Sequence, residues 1–486
     1  MKEIFALLSI MGLTTFATAD VIHVPSEYST IQDGINAASS GDTVLVAQGT
    51  YTGSGNRDID FLGKAITVKS ENGPSETIVD CQANQSYPHR GFDFSSGESS
   101  SSRLEGFTIR NGYVTGSGFS AFGAGISCSN SSPIISDCII TENTADGGGG
   151  GISCTENSAP LITSNTIIWN TAYGDGGGIH FKDSHLTITN NTINLNSASH
   201  GGGIYAYYSG ATVTDNIISG NTASSWGGGL AVLEASHAPD PIWQICNNLI
   251  VDNSGGSDGG GLSIQCSFPA PGHNMMNNTI TGNTAVSGGA IALWLSAYPV
   301  ITNSILWNNS APEIYISSGG GEPTVSYTDI AGGWAGTGNI DTDPLFTPDY
   351  HLLPGSPCID TGDPASPSDP DGTRADMGAF YYDQGTGMTG SAGLVPIFEL
   401  YPVYPNPSNS FVNVSYNLSH DEDVRIIIYD IAGHDVLTLI DRSSTSGVHS
   451  ISWDGRNNAG QKVESGIYFC RCEVDGLSQT QRLIML

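Results

Sequence analysis

Basic residues are scarce: 15 lysines and arginines stand against 47 aspartates and glutamates, a formal net charge of −32. A surface of that sign repels phosphate backbones and anionic lipid head groups, which excludes nucleic acids and acidic membranes as partners. Charged residues of both signs reach only 13%, about half the usual quarter, and 63 glycines with many serines, threonines and asparagines take their place. After the first residues no apolar run approaches the ~20 positions of a membrane-crossing helix. Paired-cysteine metal motifs are missing: nine cysteines occur without a CxxC or a Cys/His spacing suited to zinc. With 486 residues, the chain exceeds one ordinary globular domain.

What is present is order along the chain. Lys2, the apolar stretch Ile4 to Leu13 and the small-residue site Ala17-Thr18-Ala19 read as a secretory signal peptide ending at Ala19. Export permits disulfides. From Gly125 a unit repeats, starting again at Gly151, Gly178, Gly203, Gly229, Gly261 and Ala290, at intervals of 26, 27, 25, 26, 32 and 29 residues. Glycine runs or Gly-Ala set off these starts, and each start leads into an aliphatic residue. A second phase runs with the first: Asn143, Asn170, Asn196, Asn221, Asn253, Asn283 and Asn309, each followed by Thr or Ser and then Ala or Gly. Three residues earlier stand Ile140, Ile167, Ile193, Ile218, Ile250, Ile280 and Leu306, and five earlier Cys138, Asn165, Asn191, Asn216, Asn248, Asn278 and Ser304.

Like residues at a fixed phase are what stacked parallel coils require, with aliphatic side chains piled inside and asparagine amides bridging neighbouring turns. The strand-like triplets are too short for a sandwich and leave no room for crossover helices. The expected fold is therefore all-β, a right-handed parallel β-helix over residues 20–384. About eleven coils between Gly41 and Asp343 would make a rod roughly 50 Å long. The 32-residue unit implies a loop near Pro239 to Trp243 or Pro269 to Gly272.

These phases resemble the repeats of pectate-lyase-like right-handed β-helix proteins and are similar to the GGAI repeats of polymorphic outer-membrane adhesins. Thr30-Ile-Gln-Asp-Gly-Ile-Asn-Ala-Ala38, followed by Gly41 to Tyr51, resembles the helix-then-strand cap of that superfamily, which implies a helix plugging the open end. Asp343-Pro-Leu-Phe, Tyr350 to Asp360 and Asp369-Pro-Asp-Gly through Phe380 resemble its usual end.

Residues 385–396 form a Gly/Ser/Thr-containing linker, after which the texture changes to longer alternating strands such as Val424 to Tyr429. Tyr404-Pro-Asn-Pro407, Ile428-Tyr-Asp-Ile-Ala-Gly433, Trp453-Asp-Gly-Arg-Asn-Asn-Ala-Gly460 and Ser465-Gly-Ile-Tyr-Phe469 resemble the C-terminal sorting domain of the type IX secretion system, a small Ig-like β-sandwich related to flagellar-hook-cap modules. The resemblance covers residues 397–486 and implies contact with the secretion machinery, passage across the outer membrane and a secreted or surface-bound protein. The final Gln481-Arg-Leu-Ile-Met-Leu486 lacks the Lys that often ends such tails.

Within a unit, the first and third residues after the start are apolar or Cys and are expected inward, so the second and fourth point outward. That reading places His180 and Lys182, with Tyr205 and Tyr207 one coil on and Trp294 further along, on one exposed patch. Lys182 is one of three lysines in the helix body, with Lys64 and Lys69. A uronide lyase needs a base to remove the α-proton and a cation to hold the resulting enolate, roles for His180 and Lys182. Tyr205, Tyr207 and Trp294 offer sugars an apolar face to stack on. Asp369, Asp371 and Asp376 are candidate Ca²⁺ ligands, as are the corner acids Asp146, Asp175 and Asp258; turn capping is the plainer role for each. Cys128 and Cys154 occupy one inward position in adjacent coils, as a disulfide or as stacked thiols; Cys470 and Cys472 share one strand face.

The catalytic signatures of the resembling enzymes are missing: the aspartate pair with GHG and RIK of polygalacturonases, QD and DFIFG of pectin methylesterases, and RxPxxR of pectate lyases. The fold therefore does not carry its activities with it. The reading is a secreted, monomeric β-helix that binds polysaccharide or cell-surface glycans in the manner of an adhesin. The alternative is a lyase or hydrolase acting on uronate-containing polymers.

Overall fold

The structure, a computed structural model, describes residues 19–116, 118–234, 243–310, 312–384 and 398–485, apart from 401–402, 404–407, 409–410, 419–420, 431–433, 464–465 and 475–476. The expected signal peptide, the linker, the Tyr404 to Pro407 motif and most of the loop at Pro239 to Trp243 lie outside those residues.

The isoleucine phase becomes a stack. Ile140, Ile167, Ile193, Ile218, Ile250, Ile280 and Leu306 pair in parallel register from one coil to the next, and all are fully or almost fully buried. They belong to an eleven-stranded parallel sheet with one strand per coil, from Gly49–Tyr51 to Asp329–Ile330, and hence ten full turns. Each coil also feeds a twenty-stranded sheet, and the middle coils a six-stranded one. Fully burying one such isoleucine stabilises the stack by roughly 1.5–3 kcal/mol.

The corners are tight because their chains nearly touch. Gly176 lies at φ +66°, and a Cβ there would sit 2.4 Å from the Ile179 carbonyl oxygen; at Gly177 a Cβ would meet the Ser197 oxygen at 2.5 Å. Only glycine fits such positions. At the N-terminal end, Thr30 caps the helix Ile31–Ala37 by accepting from the Asp33 N–H, and Ile31, Gly34 and Ile35 are buried against the strands Val21–Val24 and Thr43–Val46. The helix closes the stack end as expected. At the other end, Leu352, Cys358 and Met377 of the returning segment pack on Ile305.

The two asparagine phases are buried ladders. In one, Asn143, Asn170, Asn196, Asn221, Asn253, Asn283 and Asn309 follow one another; in the other, Asn165, Asn191, Asn216, Asn248 and Asn278. Each amide is used on both sides. Asn196 Oδ1 accepts from the backbone N–H and Nδ2 of Asn170, both at 3.0 Å, while its Nδ2 donates to Ile167 O at 2.9 Å and Asn221 Oδ1 at 3.0 Å. Glu313 ends the longer ladder, accepting from the backbone N–H and Nδ2 of Asn309 at 3.2 and 2.6 Å. Cys128 and Cys154 lie in register as buried, stacked thiols.

The tail has two antiparallel sheets. Phe398–Leu400, Val412–Leu418 and Gly447–Trp453 form one; Asp435–Ser444, Glu422–Asp430, Gly466–Val474 and Leu477–Met485 form the other. Val412, Val414, Tyr416, Ile426, Ile428, Trp453, Cys470, Cys472 and Leu483 share their core.

Replacing Asn196 with Ala removes four hydrogen bonds from the dry interior and leaves the Asn170 backbone N–H without its acceptor. Urea unfolding of the whole chain should show a loss of about 3–5 kcal/mol. Thr187→Ala, at an exposed position of a neighbouring strand, should stay within about 0.5 kcal/mol. Equal losses would mean that the ladder adds no specific stability.

Candidate functional site

The structure corrects one half of the expected patch. Ile179 and Phe181 point inward and are fully buried, as expected, but His180 and Tyr205, which face the other way, are also buried, at 3% and 5% exposed. The glycine corners explain this: a Cβ on Gly148 would lie 2.8 Å from His180 Cδ2, so the corner backbone lies directly against the ring. Phe122 covers the imidazole at 4.8 Å between centroids, Tyr205 stacks on it at 5.7 Å and 8°, and Ser153 Oγ lies 3.3 Å from Nδ1. Burial drives the His180 pKa down to about 4. A covered, neutral imidazole is not an accessible base.

The other half stays near the surface. Lys182 and Tyr207 pair across adjacent coils, both half-buried, with Nζ 5.5 Å from the ring centroid. Tyr207 lies 3.9 Å from the Tyr208 ring, and the hydrogen bond between their hydroxyls pushes its pKa up to about 12. Trp294 shares their column but stands three coils on, beyond Leu233 and Gln265, and meets Tyr315 at 6.0 Å. Lys182 is thus beside Tyr207, and the imidazole first paired with it is covered.

The residues just before the glycine corners form a second column that the sequence analysis did not assemble. Asp175, His200, Trp226, Asp258 and Ser287 pair in turn across five coils. Asp175 Oδ1 lies 2.7 Å from His200 Nδ1, with both side chains about one-third exposed. The His200 ring packs 4.6 Å from Trp226 and 6.3 Å from Tyr205, and Trp226 lies 5.9 Å from Tyr205. Close by, Tyr113 donates to Asp146 Oδ1 at 3.4 Å, and Tyr173, 63% exposed, stands in the next coil. The result is a surface along the corners on which the His200 and Trp226 rings lie against buried Tyr205, itself stacked on His180, with exposed Tyr173 near by. Its charged groups are the acids Asp146, Asp175 and Asp258.

The acids of the returning segment serve the backbone. Asp376 accepts from the N–H groups of Asp360 and Tyr382, both at 2.7 Å; Asp369 accepts from Asp376 N at 2.8 Å; Asp371 accepts from Thr373 N and Gln384 N at 3.0 Å each. Burial raises the Asp376 pKa to about 6. This is turn capping, and Asp369, Asp371 and Asp376 do not converge on one point. Among the described residues, the three side chains that do converge as metal ligands are Glu234, Cys266 and His273, in the two longer coils.

Residues 72–240 match the family described as the right handed beta helix region, and residues 402–486 match the secretion system C-terminal sorting domain. The sorting tail marks the protein for secretion and a cell-surface or extracellular place, and no described helix is long and apolar enough to cross a membrane. Among solved structures the chain is similar to dimeric latent PorU from Porphyromonas gingivalis (20% identity, TM-score 0.17, over 19% of this chain and 10% of that one). It is also similar to pectate lyase Pel9A (15%, 0.49, 75% and 97%) and to the PL6 family alginate lyase AlyGC (14%, 0.23, 81% and 60%). The chain thus spans about a tenth of the PorU length. No curated protein matches the sequence.

His180 makes a pH prediction. Its folded pKa lies near 4 and its ordinary value is 6.5, so between these the unfolded chain holds the proton and the folded one does not. Stability is intact above about pH 6.5 and falls as pH drops from there towards 4, by up to roughly 3 kcal/mol. Thermal unfolding from pH 7 to 4 should show His180→Phe losing less stability than the parent; parallel curves would contradict the burial argument.

Proposed function

We propose that this is an exported β-helix that binds neutral polysaccharide along the corner surface of Tyr173, His200 and Trp226. The observation that carries the reading is the in-register column itself. Parallel coils repeat every ~4.8 Å, so a column of side chains offers an extended chain successive contacts along one line. Tyr173 and Trp226 supply ring faces for the apolar side of a sugar, and Asp146, Asp175 and Asp258 accept hydrogen bonds from hydroxyls. Those three carboxylates, on a chain of net charge −32, disfavour anionic uronates. The sorting tail fits such a role, since it takes that surface to where polysaccharide is found.

One observation favours a second reading. Asp175 holds His200 by Nδ1, the arrangement that orients an imidazole for general base work. In that reading the same surface cleaves the polymer, and His200 takes the place first assigned to His180.

Pull-down of the whole chain on insoluble neutral polysaccharides and on polyuronates separates these readings. Trp226→Ala and Tyr173→Ala should each weaken retention on a neutral polymer about ten-fold. Retention on polyuronates alone, or retention indifferent to both changes, would overturn the proposal. New reducing ends or unsaturated products that vanish in His200→Ala would establish the enzyme.

A further inference from the structure

We infer that Glu234, Cys266 and His273 form a binding site for a zinc-like divalent cation. Glu234 ends the strand Leu230–Glu234, and its register partner Cys266 lies within the neighbouring strand, each two residues beyond a core residue, Val232 and Ile264, of the same inward columns. His273 comes from the returning half of the strand Leu262–Met276, beside the buried Trp243. All three are buried, at 5%, 1% and 2% exposed.

Their spacing fits an ion site. Cys266 Sγ lies 3.5 Å from Glu234 Oε2 and 3.4 Å from His273 Nε2, and His273 Nε2 lies 3.4 Å from Glu234 Oε2. A good N–H···O hydrogen bond spans about 2.7–3.2 Å, so the imidazole–carboxylate contact is too long for one. Zinc at about 2.3 Å from sulfur and about 2.0 Å from nitrogen or oxygen, with tetrahedral angles, holds its ligand atoms about 3.3–3.6 Å from one another. All three measured separations fall in that range.

A second observation points the same way. Glu234 Oε1 is buried and has no hydrogen-bond partner among the described residues. A carboxylate in that state is costly unless a cation or a proton neutralises it. The donor set selects the ion: thiolate, imidazole and carboxylate suit zinc and its neighbours, whereas calcium and magnesium take oxygen ligands. Binding through Nε2 places the ring proton on Nδ1, so the 3.4 Å contact from the Trp243 N–H to Nδ1 must open. That contact is itself beyond good hydrogen-bond length.

The site's place explains its use. The coils that start at Gly229 and Gly261 are 32 and 29 residues long, against 25 to 27 for the four before them. Glu234 and Cys266 stand where the chain leaves these coils, and His273 stands where it returns. An ion shared by the three ties Glu234 of one coil to Cys266 and His273 of the next and closes the segment between Cys266 and His273, and a clip that closes a loop stabilises by limiting the unfolded chain.

The test uses the whole chain, loaded with Zn²⁺, dialysed and assayed for metal, then reloaded with Co²⁺ and read for thiolate-to-cobalt charge transfer. The expected result is one ion per chain with a charge-transfer band, both retained in Cys246→Ser. Cys266→Ser and Glu234→Gln should bind on the order of ten-fold or more weakly, Cys266→Ser without the band. A parent protein that retains no metal, or cobalt binding without a thiolate band, overturns the inference even if every variant fails to fold. So does displacement of the zinc by an equal concentration of Ca²⁺.

Discussion

The constraint on which the structure depends is that an amide buried between coils must be satisfied on both sides. Each ladder asparagine meets it by joining the coil before it to the coil after it, and a ladder left open would strand its last amide. Glu313 closes one ladder with its two carboxylate oxygens. Ser304 and Thr328 continue the other, Asn278 N donating to Ser304 Oγ at 3.2 Å and Ser304 N to Thr328 Oγ1 at 3.4 Å. Because a slip by one residue would break every rung, the ladders set the register of the aliphatic stacks beside them.

Fixed register turns a repeat into a surface. A residue type at one phase is carried along the rod as a column, and its accessibility depends on how the corner before it bends. The same glycines that allow the corners to close press their backbone onto His180 and leave the residue just before the glycines at the rim. That is why the covered ring of His180 and the half-exposed ring of His200 differ in chemistry although both are outward-facing histidines of adjacent coils.

Most of the fold was legible in the sequence because it is periodic. The glycine starts, the isoleucines and both asparagine phases lie at the positions their spacing demands, and the helix after Thr30 caps the stack. The alternation of inward and outward positions was also legible, but alternation gives direction and not exposure, so His180 and Tyr205 were placed on an open face. The signal for the corner column was available: Asp175, His200, Trp226 and Asp258 each precede a glycine run, and reading that phase as one column would have joined the imidazole to the aspartate. Glu234, Cys266 and His273 had no such signal. Glu234 and Cys266 share a phase but not a residue type, and His273 lies outside that phase, meeting them only because the longer coil departs from the period.

Hydroxyl-radical footprinting of the whole chain, with and without a neutral polysaccharide that retains it, tests the corner surface most directly. Protection should concentrate on Tyr173, His200 and Trp226, leaving Tyr207 and Trp294 as reactive as in the free protein. Protection of Tyr207 and Trp294 with Tyr173 and Trp226 unchanged would contradict the account and move the binding surface to the column of Lys182.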